Sequence, residues 1–294
     1  MKVALHDSDK TRFPNLALMK LSAHHKSLGH DVQWFNALMR DEYDVIYSSK
    51  IFTFTAEDKY LPSDNRVIKG GTGYCLESKL EQEIEHCMPD YTIYNSKVAQ
   101  GFTTRGCPNH CSWCIVPKKE GVIKANADIN EFWSKQSELV LMDNNILAHE
   151  HGIDQLLKIA TKNIKLDCNQ GLDARLVDRK IAKIIASIKW KTIRFACDNQ
   201  SQMKHVENAV KLIRKETGTL GRFFVYVLVK DVDDAYDRVK FLRSIKVDPF
   251  AQPYRDIENK TQPSQEQKDF ARWVNHKAIF KSVQWEEYKC RKHF

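Results

Sequence analysis

No apolar run in the 294-residue chain approaches the ~18–20 residues that cross a bilayer, so a membrane-spanning helix is not expected. Low-complexity tracts and close internal repeats are also missing. The opening MKVALHDSDK has no apolar stretch of the kind a secretory signal needs. A cytoplasmic, reduced chain is therefore expected, in which eight Cys point to metal or catalysis more than to disulfides. What is present is a hydrophobic share of 42%, ample for a packed core, which excludes a disordered chain. The length suits one large domain or two modest ones.

Charge divides the chain. Residues 1–95 hold 11 Lys+Arg against 14 Asp+Glu, whereas residues 96–294 hold 35 against 24, a net of +11. This asymmetry suggests two modules, the second either facing something anionic or simply carrying a solvated lysine-rich surface. In the first, residues 2–6, 31–35, 44–49 and 66–71 read as short strands. Residues 15–28 read as a helix through Leu16, Leu18, Met19, Leu21 and Leu28, stopped by Gly29. Strands alternating with helical segments imply a small doubly wound, flavodoxin-like α/β domain. In the second, strands are expected at 98–104, 138–142, 164–168, 192–197, 223–229 and 246–252. Helices are expected between them at 128–136, 152–162, 178–189, 201–216 and 233–245. Six βα units imply an open parallel sheet or partial barrel rather than a complete eightfold one. A polar linker, 258–267, leads to a terminal amphipathic helix with Phe270, Trp273, Val274 and Phe280.

The segment FTTRGCPNHCSWC spaces Cys107, Cys111 and Cys114 as C-x3-C-x2-C, just after the first strand of the basic half. With eight Cys in the chain, a chance match to both offsets has a probability of roughly 0.006. Three thiolates on one short loop can hold three irons of a 4Fe–4S cluster and leave the fourth iron open. A structural zinc site wants four ligands, usually two separated pairs. The remaining Cys75, Cys87, Cys168, Cys197 and Cys290 are scattered, and His110 would be a cramped fourth ligand.

With its aromatic Trp113, the loop resembles the C-x3-C-x-aromatic-C motif of the radical S-adenosylmethionine (radical SAM) superfamily. The six strand units over 96–257 are similar to that family's partial (β/α)6 barrel. The resemblance implies a cluster whose open iron binds the methionine end of SAM, an electron donor such as flavodoxin or ferredoxin, and hydrogen abstraction by a 5′-deoxyadenosyl radical. Groups at the C-terminal strand ends would complete the site. The run MDNN stands where the family has Gly-Gly-Glu. The Gly-Gly is missing, with Asp143 or Asn144 as the acceptors on offer. NQGLDARL offers Gln170, Asp173 and Arg175, and Asp198 ends the fourth strand; Arg175 suits a carboxylate by its forked geometry. The plainer readings are a helix cap for Asp143 or Asp198 and a structural ion pair between Asp173 and Arg175. Trp113 would stack on adenine or shield the cluster.

The front segment, with its Gly70-Gly71, resembles a degenerate cobalamin-binding domain. The family's D-x-H-x-x-G is replaced by Asp7 to Arg12, which has neither the His nor the Gly, so cobalamin held through that histidine is not expected. The expected organisation is thus 1–95 front domain, 96–257 radical SAM barrel and 258–294 linker and helix. The substrate is left open between a nucleotide or nucleic acid and a small metabolite or peptide. A rival account without SAM chemistry is a nucleic-acid-binding protein with a structural metal centre. A basic lip from Arg272, His276, Lys277 and Lys281 would suit a polyanion. The motifs of sequence-reading DNA folds are absent.

Overall fold

The computed structural model describes residues 1–219, 221–256 and 261–289. Its first sheet holds four parallel strands, β1 (Lys2–Asp7), β2 (Asp31–Trp34), β3 (Val45–Ser49) and β4 (Val67–Gly70), in the order β2-β1-β3-β4. Central β1 buries Val3, Ala4 and Leu5 together, the continuous apolar run of a strand covered on both faces. Helix α1 (Leu16–Ser27) packs Leu18 and Leu21 on Leu5. Asn15 caps it by accepting from the Leu18 N–H at 3.3 Å, and Gly29, at φ +75°, turns the chain back. These four strands and this helix lie where the sequence places them. The winding is thin: Ala37–Glu42 between β2 and β3 is a 3-10 turn, and residues 50–66 between β3 and β4 carry no helix.

Six parallel strands follow, β5 (Val98–Gly101), β6 (Glu138–Leu141), β7 (Lys165–Cys168), β8 (Ile193–Ala196), β9 (Phe223–Val229) and β10 (Asp248–Pro253). Val98 pairs with Glu138, Glu138 with Lys165, Ile193 with Phe223, and Phe224 with Asp248. Parallel bridges Leu166–Trp190 and Leu172–Phe195 join the two halves. Among the described residues no ladder returns from β10 to β5, so the barrel is partial, as expected from six units. From β6 onward one helix lies between each pair of successive strands: α2 (Glu150–Ala160), α3 (Arg179–Ser187), α4 (Met203–Thr217) and α5 (Val232–Ser244). Helix α3 buries Ile181, Ile184 and Ile185 and is capped by Asp178, which accepts from the Ile181 N–H at 2.8 Å. The helix expected at 128–136 is one 3-10 turn, Ile129–Glu131. An Asp128–Glu131 capping box opens it. Phe132 then drops into the core, and the Trp133 indole N–H donates to the Gln136 carbonyl, diverting the chain into β6.

The terminal helix is two, α6 (Gln265–Asn275) and α7 (Lys277–Ser282), broken at His276, whose ring caps the second. Of the expected linker, 258–260 lie outside the described residues, as does Cys290; Gln265 already belongs to α6. Phe270, Trp273 and Phe280 are buried in the barrel core. The Asn275 amide bonds both the N–H and the C=O of Ala251, at 2.8 and 2.9 Å, covering the otherwise unpaired edge of β10. Lys277 pairs with Asp248 at 2.8 Å, so one cation of the expected basic lip is already matched. No helix among the described residues is long and apolar enough to cross a membrane.

Candidate active site

The cysteine loop is the closed end of a small hairpin. After β5, Thr104–Arg105 pairs antiparallel with Lys124–Ala125, and Cys107 N–H donates to the Gly121 carbonyl at 3.2 Å. Gly106 sits at φ +87°, and a Cβ there would lie 2.6 Å from the Val122 carbonyl oxygen, so this turn admits only glycine without rearrangement. Arg105 anchors the root: it bonds Glu85 of the front domain at 2.6 Å and Glu120 at 3.3 Å. Burial would raise the Glu85 carboxyl, but Arg105 and buried Lys20 outweigh it and hold the group below the usual carboxylate range. Gln100 adds a second tie, donating to the Pro14 carbonyl at 2.9 Å. The acidic front domain therefore braces the loop through its own carboxylate.

Beneath the loop, Asp143 is 3% exposed and turned inward. Its carboxylate accepts from the Thr103 and Thr104 N–H groups at 3.1 and 2.5 Å and from their hydroxyls at 2.6 and 2.7 Å. Three of these donors converge on Oδ1 and one, the Thr103 N–H, on Oδ2. Burial raises this carboxyl's proton affinity and the four donors oppose the rise. Asn144 accepts from Gly106 N–H at 3.0 Å. Neither Asp143 nor Asp198 caps a helix.

The third residue of MDNN, Asn145, reaches the cysteines. Its Nδ2 lies 3.6 Å from Cys107 Sγ and donates to Asp173 at 3.1 Å, while its Oδ1 is buried with no partner among the described residues. Asn109, inside the loop, also donates to Asp173 at 3.1 Å. Asp173 closes the group through a bidentate pair with Arg175 at 2.8 and 2.7 Å, so the ion-pair reading is realised next to the loop. Burial pushes the Asp173 carboxyl up, and the Arg175 and Asn109 donors carry it below the usual value. Cys107, Cys111 and Cys114 are free thiols. Burial, then neighbouring Cys114, pushes the Cys111 thiol up, and Arg175 partly offsets this. Among the described residues no three His, Cys, Asp or Glu are grouped tightly enough to share one metal ion.

Asp198 joins from the end of β8. It accepts from the Leu228 N–H at 3.3 Å and bonds Trp113; burial raises its carboxyl, and these contacts pull the other way. Buried Arg238, on α5, fixes the platform by donating to the Cys197 and Leu228 carbonyls. Lys230, the residue after β9, places its ammonium 5.0 Å from the Trp113 ring and 4.5 Å from that of Tyr254. Gln170 stands apart, exposed and bonded to Asn169. His110 is exposed at the loop tip. Sequence reasoning assigned no role to Asn109, Asn145, Thr103 or Thr104. The Thr-Thr doublet just before the C-x3-C-x2-C motif cannot be seen as a carboxylate cradle until β5 and β6 are paired.

No family model matches the chain, and no curated protein matches it. Among solved structures, the fold is similar to the radical S-adenosylmethionine methyltransferase TsrM from Kitasatospora setae, whose structure has cobalamin and a 4Fe–4S cluster bound. The TM-score is 0.65 over 87% of this chain and 76% of that one, at 12% identity. The likeness is one of fold, an α/β chain built on parallel sheets.

Proposed function

We propose that this chain is a radical SAM enzyme whose cluster is held by Cys107, Cys111 and Cys114. The observation that carries the reading is the placement of these thiols over the strand ends of a TsrM-like barrel, with Asn145 directed at Cys107. A structural zinc site wants four ligands, usually two separated pairs, whereas this loop offers three thiols. A four-iron cube takes each thiolate on a separate iron and leaves one iron open. When bound, such a cluster supplies the electron that splits the S–C5′ bond of SAM into methionine and a 5′-deoxyadenosyl radical, which takes hydrogen from substrate.

The chain's own groups supply the setting. Asn145 and Asn109 present N–H donors toward Cys107 Sγ and Asp173, as outer-shell groups that tune a metal centre do. The buried, unmatched Asn145 Oδ1 leaves an acceptor for a ligand ammonium or hydroxyl. Arg175, already pinned by Asp173, keeps donors for a carboxylate. Asp143 acts as a positioning residue that folds the loop's entry. Trp113, held on Asp198, walls one side. Single electrons would come from a flavodoxin- or ferredoxin-type donor.

No histidine in the Asp7 to Arg12 turn offers itself to cobalt: Asp7 accepts from Asp9 and Lys10 N–H groups and from the Tyr94 hydroxyl. His6, just before it, bonds Ser48 and Asp58. The cavity there is lined by His6, Asp7 and Trp34. Cobalamin ligation by this turn is therefore not part of the proposal.

Anaerobic reconstitution tests the reading. The parent chain should take up about four irons and turn brown, and Cys111→Ala should lose them while keeping its far-UV circular dichroism. One tightly held zinc, with no iron–sulfur absorption, would replace the reading with a structural metal centre.

A further inference from the structure

The mouth of the barrel interleaves cations with aromatic rings, and this deepens the reading above by pointing to a substrate class. The Lys230 ammonium lies between Trp113 and Tyr254 and, among the described residues, has no carboxylate partner. Tyr254 follows β10 and donates its N–H to the Val229 carbonyl, so the two side chains leave neighbouring strand ends. The next residue, Arg255, lays its guanidinium 4.7 Å from the Phe54 ring of the front domain. Phe54 in turn stacks on Phe52, with centroids 5.2 Å apart and planes at 22°. The two rings are 60% and 42% exposed, yet their loop is not loose. Asp9 accepts from the Ile51 N–H at 2.6 Å and from the Thr55 hydroxyl at 2.5 Å, fixing both ends of the aromatic segment.

Exposed phenyl rings suit a flat, aromatic and anionic ligand when they lie beside two cations, Lys230 and an Arg255 that is bonded through one nitrogen to the neutral Gln262 amide at 2.7 Å. Base–aromatic stacking and phosphate contacts are the two recurring terms in binding of single-stranded nucleic acid. The net charge of +11 over residues 96–294 agrees in sign. We propose that the mouth takes a nucleobase with its phosphate, the base stacking on Tyr254 or on the Phe52–Phe54 pair and the phosphate meeting Lys230 and Arg255. Front domain and barrel then contribute jointly to one substrate surface.

The test is fluorescence anisotropy of the full chain with labelled ten-nucleotide single-stranded RNA and DNA across ionic strength. AMP serves as competitor and a duplex of the same sequence as control. Single strands should bind at low salt, more tightly than duplex. Tyr254→Leu should weaken binding by about tenfold, within the range for one lost stack. Lys230→Gln should reduce the slope of log K against log salt by about 0.7, one phosphate contact on a single strand. Lys215→Ala, on the far surface of α4, should match the parent. Competition by AMP would identify a free nucleotide as the source of the chemistry, and its failure a nucleic-acid strand. No binding by the parent at about 50 mM salt, or equal binding by the parent, Tyr254→Leu and Lys230→Gln, would overturn the inference. The measurement needs neither cluster nor SAM. A chain that binds strands but releases no 5′-deoxyadenosine would refute the SAM reading alone, and the reverse outcome would refute this one alone.

Discussion

Replacing Asp143 is expected to unfasten the loop rather than to remove a ligand contact. In Asp143→Ala, the Thr103 and Thr104 N–H groups, both in fully buried residues, lose their acceptor, whereas the two hydroxyls can rotate toward others. Each orphaned buried N–H costs about 1–3 kcal/mol, and removing a buried carboxylate returns part of that, so a net loss of about 3 kcal/mol is expected. For a chain of 294 residues the melting midpoint should fall by about 5 °C. Urea denaturation followed by far-UV circular dichroism, on protein stripped of metal by a chelator, reads the effect without a contribution from bound iron. Asp143→Asn keeps one acceptor oxygen and should lose roughly half as much. A double-mutant cycle with Thr104→Val should show coupling of about 1 kcal/mol, because that variant removes the hydroxyl bond of the two that Thr104 gives Asp143. If Asp143→Ala unfolds at the parent's midpoint, the carboxylate does not hold the loop and an acceptor role toward SAM regains its place.

Three further outcomes follow from the same geometry. Gly106→Ala should cost about 2–3 kcal/mol and lower the iron retained after reconstitution, since it strains a φ of +87° and drives a Cβ into the Val122 carbonyl; iron content equal to the parent's would contradict this. Burial would raise the Asp90 carboxyl, but Lys26, Thr92 and Ser22 hold it down at about 2 against the usual 3.8. An acid lowered on folding adds stability above its unfolded value and loses it as pH falls through its folded one. Asp90→Asn should therefore remove about 2 kcal/mol at neutral pH and flatten the acid limb of a stability profile between pH 3.8 and about 2. Asn145→Leu should make the cluster harder to reduce, because an N–H directed at Cys107 Sγ favours the more negative state; an unchanged potential in an anaerobic redox titration would show that the contact has no electronic role.

Much of this architecture is written in local pattern. Continuous apolar runs such as Val3-Ala4-Leu5 and the isoleucine face of α3 announce buried parallel strands and a covering helix. The C-x3-C-x2-C spacing marks the loop because thiol chemistry needs only that spacing. Less legible are contacts made across the fold. MDNN reads as a string of polar acceptors, yet its three polar members part company: Asp143 faces the threonines, Asn144 the Gly106 amide, and Asn145 the cysteine sulfur. That division depends on where β6 ends beside β5, which sequence spacing does not encode. The Ile129–Glu131 turn carries helical capping signals, but burial of Phe132 overrides them. The brace from Glu85 to Arg105 joins residues 20 apart across two modules and has no periodicity to betray it.

The central claim rests on an open iron above these strand ends that meets SAM. Electron paramagnetic resonance of the dithionite-reduced, reconstituted chain, recorded with and without SAM and followed by chromatography of the same samples, tests it most directly. The expected result is a reduced 4Fe–4S signal that changes on adding SAM, with slow release of 5′-deoxyadenosine and methionine in equal amounts. A full complement of four irons whose signal ignores SAM, with no 5′-deoxyadenosine formed, would contradict it.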